Sequence, residues 1–307
     1  MPKHLITPAY VKPGDTIAMV APAGAIKNKT VIAKAVKLVE SWGLHVILGA
    51  HLFGRDYSFS GTDVQRAEDL QKALDNPAVK AIWFARGGYG TVRIIDRLDF
   101  TKFKEHPKWL IGYSDITVLH SHLHNLGYET LHAMMPLNMK VKEEDRLKTV
   151  KTFKDALFGK HLKYGILSSP QNKLGIARGQ LVGGNLSILQ SLLGSVSSVN
   201  TDGKILFFED VEEYLYNIDR MVYALKRSSY FKHIKGLIIG EMTDLKKNTN
   251  PFGYPVEDII LGATKEYHFP IIFNFPAGHD KDNRALILGR TVKIKVGKKH
   301  AVVDFDN

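Results

Sequence analysis

Between Thr16 and Leu126 the chain alternates short, continuously apolar runs with stretches of helical period, and glycine or proline stands at most of the joins. Thr16-Ile17-Ala18-Met19-Val20-Ala21 reads as a buried strand, and Pro22-Ala23-Gly24 ends it. An amphipathic helix follows, with Val31, Ala35, Val36, Leu38, Val39 and Trp42 apolar and Gly43 as its stop, and then the strand His45-Val46-Ile47-Leu48. Thr62-Asp63-Val64-Gln65 has the spacing of a capping box and opens a helix to Leu74, which Asn76-Pro77 terminates ahead of the strand Val79 to Ala85. A strand at Trp109–Ile111 and a helix from Ile116 to about Leu126, stopped by Gly127, continue the rhythm. Repeated β-α-β units with wholly apolar strands require a mostly parallel sheet covered by helices on both faces.

After Gly127 the rhythm changes. Lys140 to Lys154 is a charged, helical run, and Tyr164 to Ala177 is rich in Ser, Pro, Asn and Gly. The expected division is an α/β domain over residues 1–163, a linker over 164–177 and a smaller, strand-rich α+β domain over 178–307. Leu186 to Leu193 is helical in the second domain. Its expected strands are Ile205–Phe208, Gly236–Ile239, Ile271–Phe273, Leu286–Leu288, Val292–Val296 and Ala301–Phe305. The 307 residues suit two domains of ordinary size.

The absence of cysteine excludes disulfides, thiolate-bound zinc and a thiol nucleophile, so covalent catalysis has to use Ser, Thr, Lys, Asp, Glu or His. No run reaches the ~18 apolar residues of a membrane span, and Met1-Pro2-Lys3-His4 is followed by no apolar signal core. The reading is a soluble, cytoplasmic protein with no membrane partner. The formal net charge is +11, but the lysines come in dispersed pairs such as Lys246-Lys247 and Lys298-Lys299, with no basic block interleaved with aromatics. That pattern describes a solvated basic surface rather than a nucleic-acid interface, and its field favours small anionic substrates.

Gly112-Tyr113-Ser114-Asp115-Ile116 joins the strand at Trp109–Ile111 to the next helix, at the sheet edge where open α/β folds place their sites. A serine in such a turn is offered as a nucleophile beside free helix N-terminal amides; the same residue type also serves as a plain N-cap. The sequence departs from G-x-S-x-G, because Ile116 replaces the second glycine. Arg86-Gly87-Gly88-Tyr89-Gly90 follows another strand, and its glycines let the backbone approach a ligand, although their spacing fits neither G-x-G-x-x-G nor a P-loop. Phe207-Phe208-Glu209-Asp210 ends an apolar strand in two carboxylates, and Pro276-Ala277-Gly278-His279 closes another in a Gly-His loop. Together these give nucleophile, acid and base in the chain order Ser…Glu…His. His120, His122 and His124 invite a metal reading, but His122 points about 200° away from His120 on a helix and no H-E-x-x-H carboxylate accompanies them, so they read as surface or cleft-lining residues.

Taken together, Val20-Ala21-Pro22-Ala23-Gly24, Arg86-Gly87-Gly88-Tyr89-Gly90, Gly112-Tyr113-Ser114-Asp115, Gly183-Gly184-Asn185-Leu186, Phe208-Glu209-Asp210 and Gly278-His279 resemble the LD-carboxypeptidase family of serine peptidases, over nearly the whole chain. The resemblance implies Ser114 as nucleophile, Glu209 as acid and His279 as general base, with the backbone amides of Gly88 and Asp115 as oxyanion hole and Arg86, Gly87 and Tyr113 bordering the substrate. It implies an N-terminal domain like that of class I glutamine amidotransferases, an interdomain site, a homodimer, no metal or organic cofactor, and a murein L,D-tetrapeptide substrate. Family members also include microcin C immunity peptidases, which cleave aminoacyl nucleotides. A binding module of amidotransferase type with a dead site is the rival from another class. In the stretch Tyr214-Leu215-Tyr216-Asn217-Ile218-Asp219-Arg220, Asn217 replaces an arginine of the tetrapeptidase pattern, which bears on side-chain specificity.

Overall fold

The computed structural model describes residues 5–247 and 249–306; Met1-Pro2-Lys3-His4, considered above, lies outside them. The first half supplies β1 (Thr16–Val20), α1 (Lys29–Glu40), β2 (His45–Leu48), α2 (Asp63–Asp75), β3 (Val79–Phe84), α3 (Thr101–Glu105), β4 (Trp109–Gly112), α4 (Thr117–Leu126), β5 (Thr130–His132) and α5 (Leu147–Leu157). The second half supplies β6 (Lys163–Leu167), β7 (Gly175–Asn185), α6 (Leu186–Ser191), β8 (Ile205–Val211), α7 (Leu215–Arg227), β9 (Gly236–Thr243), α8 (Val256–Ala263), β10 (Ile271–Ile272), β11 (Leu286–Leu288), β12 (Thr291–Val296) and β13 (His300–Phe305). No helix among the described residues is long and apolar enough to cross a membrane.

Two mixed sheets result. The first runs β11-β5-β4-β3-β1-β2, with β1 to β5 parallel, and the second runs β10-β9-β8-β7-β12-β13-β6, with β7 to β10 parallel and the rest antiparallel. Strand alternation sorts the apolar side chains. Ile17 and Met19 of β1 and Phe207 of β8 belong to one core shared by both sheets. Ala18 and Val20 face α2 and α4 on the outer side of the first sheet, and Leu206 and Phe208 face α7 and α8 on the outer side of the second. Asn28 caps α1, and at α2 the Thr62 hydroxyl and the Gln65 side chain form the expected reciprocal box.

Two readings are corrected here. Residues 164–177, expected as a linker, hold most of the edge strand β6 and the start of β7, the central strand of the second sheet; the half-buried alternation of β6 is obscured by Gly165 and the Ser168-Ser169-Pro170 turn that follows it. Leu286–Leu288 is a strand, but it pairs antiparallel with β5, so late sequence completes the first sheet. Short β5, and α7 and α8, were not anticipated. Ile287 is buried at the centre of that pairing. Ile287→Ala should cost about 2–5 kcal/mol in a denaturant titration, and because the shared core spans both sheets the unfolding should remain a single transition by near-UV and far-UV signals.

Candidate active site

β4 leaves the sheet at Gly112, Tyr113 stays extended, and Ser114 adopts φ 63°, the left-handed region that a non-glycine residue occupies only when its surroundings hold it there. The bracing is visible. Directly behind the turn, buried His120 is 2.9 Å through Nε2 from the Gly112 carbonyl and 2.8 Å through Nδ1 from the Thr130 hydroxyl. A carbonyl can only accept, so Nε2 carries the proton and Nδ1 accepts from Thr130. Burial drives the His120 pKa down to about 4, which keeps the ring neutral. His120 is therefore a core strut rather than a surface or cleft-lining residue. His122 bonds Ser197 and lies over Phe100, and among the described residues no three His, Asp or Glu side chains are grouped as a metal site.

The Arg86–Gly90 turn packs against the front of Ser114. A Cβ on Gly87 would stand 2.8 Å from the Ser114 Cβ and 3.0 Å from its Oγ, so only glycine allows this approach. The same position is 3.5 Å from the Asp115 amide nitrogen, which lies in the first turn of a short helix and has no acceptor within it. Asp115 is buried, and its carboxylate accepts the Thr91 amide at 2.8 Å, locking the glycine turn to the serine turn. Arg86 donates to the Ala25 carbonyl at 2.6 Å, tying its loop to the one after β1. Tyr113 accepts a bond from Asn138 at 3.0 Å.

The candidate acid lies on β8 of the second sheet and the candidate base in the loop between β10 and β11. Glu209, fully buried at the end of β8, lies 2.6 Å from His279 Nδ1. The carboxylate accepts and Nδ1–H donates, which leaves Nε2 as the free basic nitrogen. Gly278 has φ 129°, and a Cβ there would be 2.7 Å from Glu209 Oε2, so glycine before the histidine is a steric requirement. Burial lowers the His279 pKa, but the Glu209 carboxylate, with Asp210 and Glu212 behind it, outweighs burial and sets it above the ordinary 6.5. The His279 ring meets the Tyr113 ring edge-on at 4.8 Å, Tyr113 meets His132 at 5.8 Å, and His132 meets Phe207 at 5.1 Å, so an aromatic wall links the residue beside Ser114 to the base. Ser114 itself is half-buried and forms no side-chain hydrogen bond among the described residues.

Asp210 points the other way. Its oxygens accept Asn185 Nδ2 and the Ser187 amide at 2.9 Å each, and burial followed by the Glu209 charge raises its pKa to about 7. Of the two adjacent carboxylates, geometry gives the histidine to Glu209. Sequence reasoning missed the network through Asp210: the Asn185 amide donates at 2.9 Å to Thr117, the first residue of α4, and so crosses the junction between the sheets. It also missed buried Arg66, whose guanidinium reaches Pro22, Gly61, Gly90 and Asp63. The available signal was an arginine among the inward positions Ala67 and Leu70 of α2.

Gly87→Ala should disable the site without unfolding the protein, since the new methyl displaces Ser114. Turnover should fall by about 10²-fold or more, with circular dichroism unchanged.

The profile of the LD-carboxypeptidase N-terminal domain matches residues 17–133, and that of the LD-carboxypeptidase C-terminal domain matches residues 178–294. A probable murein peptide carboxypeptidase of Bacillus subtilis is 33% identical over 305 residues, covering 97% of this chain and 94% of its own. A muramoyltetrapeptide carboxypeptidase from Oxalobacter formigenes superposes with a TM-score of 0.86 at 26% identity, over 95% of this chain and 99% of its own. A microcin C7 self-immunity protein shares the fold, with a TM-score of 0.88 at 20% identity over 98% and 99% of the two chains. With both of the family's domain profiles matched in order along one chain, the protein belongs to the LD-carboxypeptidase family.

Proposed function

We propose that this protein is a serine carboxypeptidase that hydrolyses an L,D-peptide bond and releases a terminal D-amino acid, with murein tetrapeptide as substrate and peptidoglycan recycling as its setting. The observation that carries the reading is the 2.6 Å Glu209–His279 contact, which leaves His279 Nε2 free beside the strained serine turn. The murein substrate is supported by the Bacillus subtilis and Oxalobacter formigenes relatives; the microcin-type alternative is supported less directly, by a likeness to solved structures of microcin immunity type.

Ser114 Oγ attacks the scissile carbonyl while His279 Nε2 takes its proton. The Gly88 and Asp115 amides receive the oxyanion, and Gly87 lets that loop come close enough to do so. His279 then protonates the leaving amine of the D-amino acid, and a water molecule repeats the sequence to free the serine. Glu209 holds the imidazole tautomer and favours its charged form. The Ser114–His279 hydrogen bond is made as substrate fills the site, as is common when a free enzyme binds its substrate. The working form is proposed to be a cytoplasmic homodimer, which analytical ultracentrifugation checks through the mass.

Ser114→Ala should retain the fold and lose roughly 10³-fold or more in turnover. The measurement is mass-spectrometric detection of D-alanine released from murein tetrapeptide; near-native release by the variant would end the serine mechanism.

The pH profile carries a further prediction. The base works when neutral, so kcat/KM should rise with pH through a midpoint above 6.5, the direction in which Glu209 moves His279. In Glu209→Gln the charge is gone and burial remains, so the midpoint should move to lower pH. Turnover should drop on the order of 10³–10⁴-fold, because the glutamine amide can impose the wrong tautomer. A loss confined to KM would instead make Glu209 a substrate contact.

A further inference from the structure

The net charge of +11 is not accounted for by the active site, whose own ionisable groups include the carboxylates Asp115, Glu209 and Asp210. Part of the surplus converges elsewhere. A cleft of about 650 Å³ opens where α4 ends against the beginnings of β7 and β8, walled by His124, Arg178, Asn200, Asp202, Lys204 and Lys235. Its volume is that of a small-molecule site. Both domains contribute, His124 from the first and the others from the second.

The charge within it is unbalanced. Lys204 and Lys235 are brought together because the Lys235 amide donates to the Lys204 carbonyl at 2.7 Å. Among the described residues neither has a carboxylate within ion-pair distance. Arg178 alone is paired, with Asp306, which leaves Asp202 as the single acid in the wall. Lys204 is half-buried, and burial lowers its pKa; His124 beside it is pushed down to about 4 by burial and by the Lys204 charge. A half-buried ammonium beside a neutral imidazole, with Asp202 as the one acid in the same wall and Lys235 as a second cation, is better matched by a bound anion than by water. The carbonyl end of α4 does not oppose this, since the Leu123, His124 and Gly127 carbonyls accept the Tyr128, Gly127 and Ile6 amides.

We infer that this cleft is a binding site for a small diphosphate-bearing molecule, separate from the peptidase site. Two lysines at neighbouring strand starts, Lys204 before β8 and Lys235 before β9, lining one cleft match two linked phosphoryl groups better than one. The site is also distinct in place: α4 and β8 each have one end here and the other at the nucleophile turn or at Glu209, a separation of roughly 15 Å.

The probe is inorganic pyrophosphate, titrated calorimetrically and by thermal shift into the full chain carrying Ser114→Ala, with inorganic phosphate as the comparison. Saturable binding with a ligand-dependent rise in Tm is expected, tighter for pyrophosphate than for phosphate. Lys204→Gln/Lys235→Gln should weaken it by about tenfold or more, whereas the charge-matched Lys34→Gln/Lys37→Gln on exposed positions of α1 should not. If the double variant misfolds, Lys235→Gln alone, at an exposed position, should give a partial loss. No saturable binding, an equal loss in the α1 variant, or unchanged binding after removing both cleft lysines would each overturn the proposal.

Discussion

Everything at the proposed active site depends on a three-residue strand pairing. β11 closes the edge of the first sheet on β5, and β5 lies beside β4, whose end becomes the serine turn. The same segment of chain begins, a few residues earlier, with Gly278, whose amide donates to Asn283, and with His279, which is bonded to Glu209 on the second sheet. His279 is therefore strung between two fixed points, one on each sheet. Interdomain enzymes commonly tolerate hinge motion, but here the shared apolar core and the pairing oppose it, and the ring of Tyr113 is held against the ring of His279.

Two carboxylates next to each other on one strand would ordinarily repel and raise each other's pKa. The pleat separates their tasks. Glu209 faces the shared core and holds the His279 ring, while Asp210 faces outward and receives the Ser187 amide at the start of α6 together with the Asn185 side chain. The cost falls on Asp210, whose pKa is raised, and the benefit on His279, whose pKa is held above its ordinary value despite burial. The short α6 is thus oriented by a residue adjacent to the proposed catalytic acid, and through Asn185 and Thr117 that orientation reaches the helix behind Ser114.

The first four strands, α1 and α2 were legible because continuous apolar runs and helical periodicity leave little choice there, and the capping box at Thr62 and Gln65 appears where its spacing put it, whereas the five-residue α3 was too short to be read. Ser114, Glu209 and His279 stood out as candidates at the ends of apolar strands, where polar residues interrupt an otherwise buried pattern, and their proposed roles came from the family resemblance. What escaped was set by tertiary context. β5 is three residues long and has no periodicity to detect, α7 was read only as a motif, and β6 hides its alternation among turn residues. The histidine run looked exposed because imidazoles are polar, yet His120 is buried where a carbonyl and a hydroxyl happen to offer it two partners. Such partners come from β4 and β5, and local sequence does not disclose them.

The crossing of β11 into the first sheet also orders events in time. A ribosome delivers the nucleophile turn early, together with five parallel strands that could already assemble, yet the edge beside β5 stays open until residues 286–288 emerge. By then both Glu209 and His279 have been made. A chain interrupted anywhere before that point carries the serine on an unfinished sheet with an exposed edge, a substrate for quality control, so hydrolytic competence waits for residues 286–288, long after the serine turn has been made.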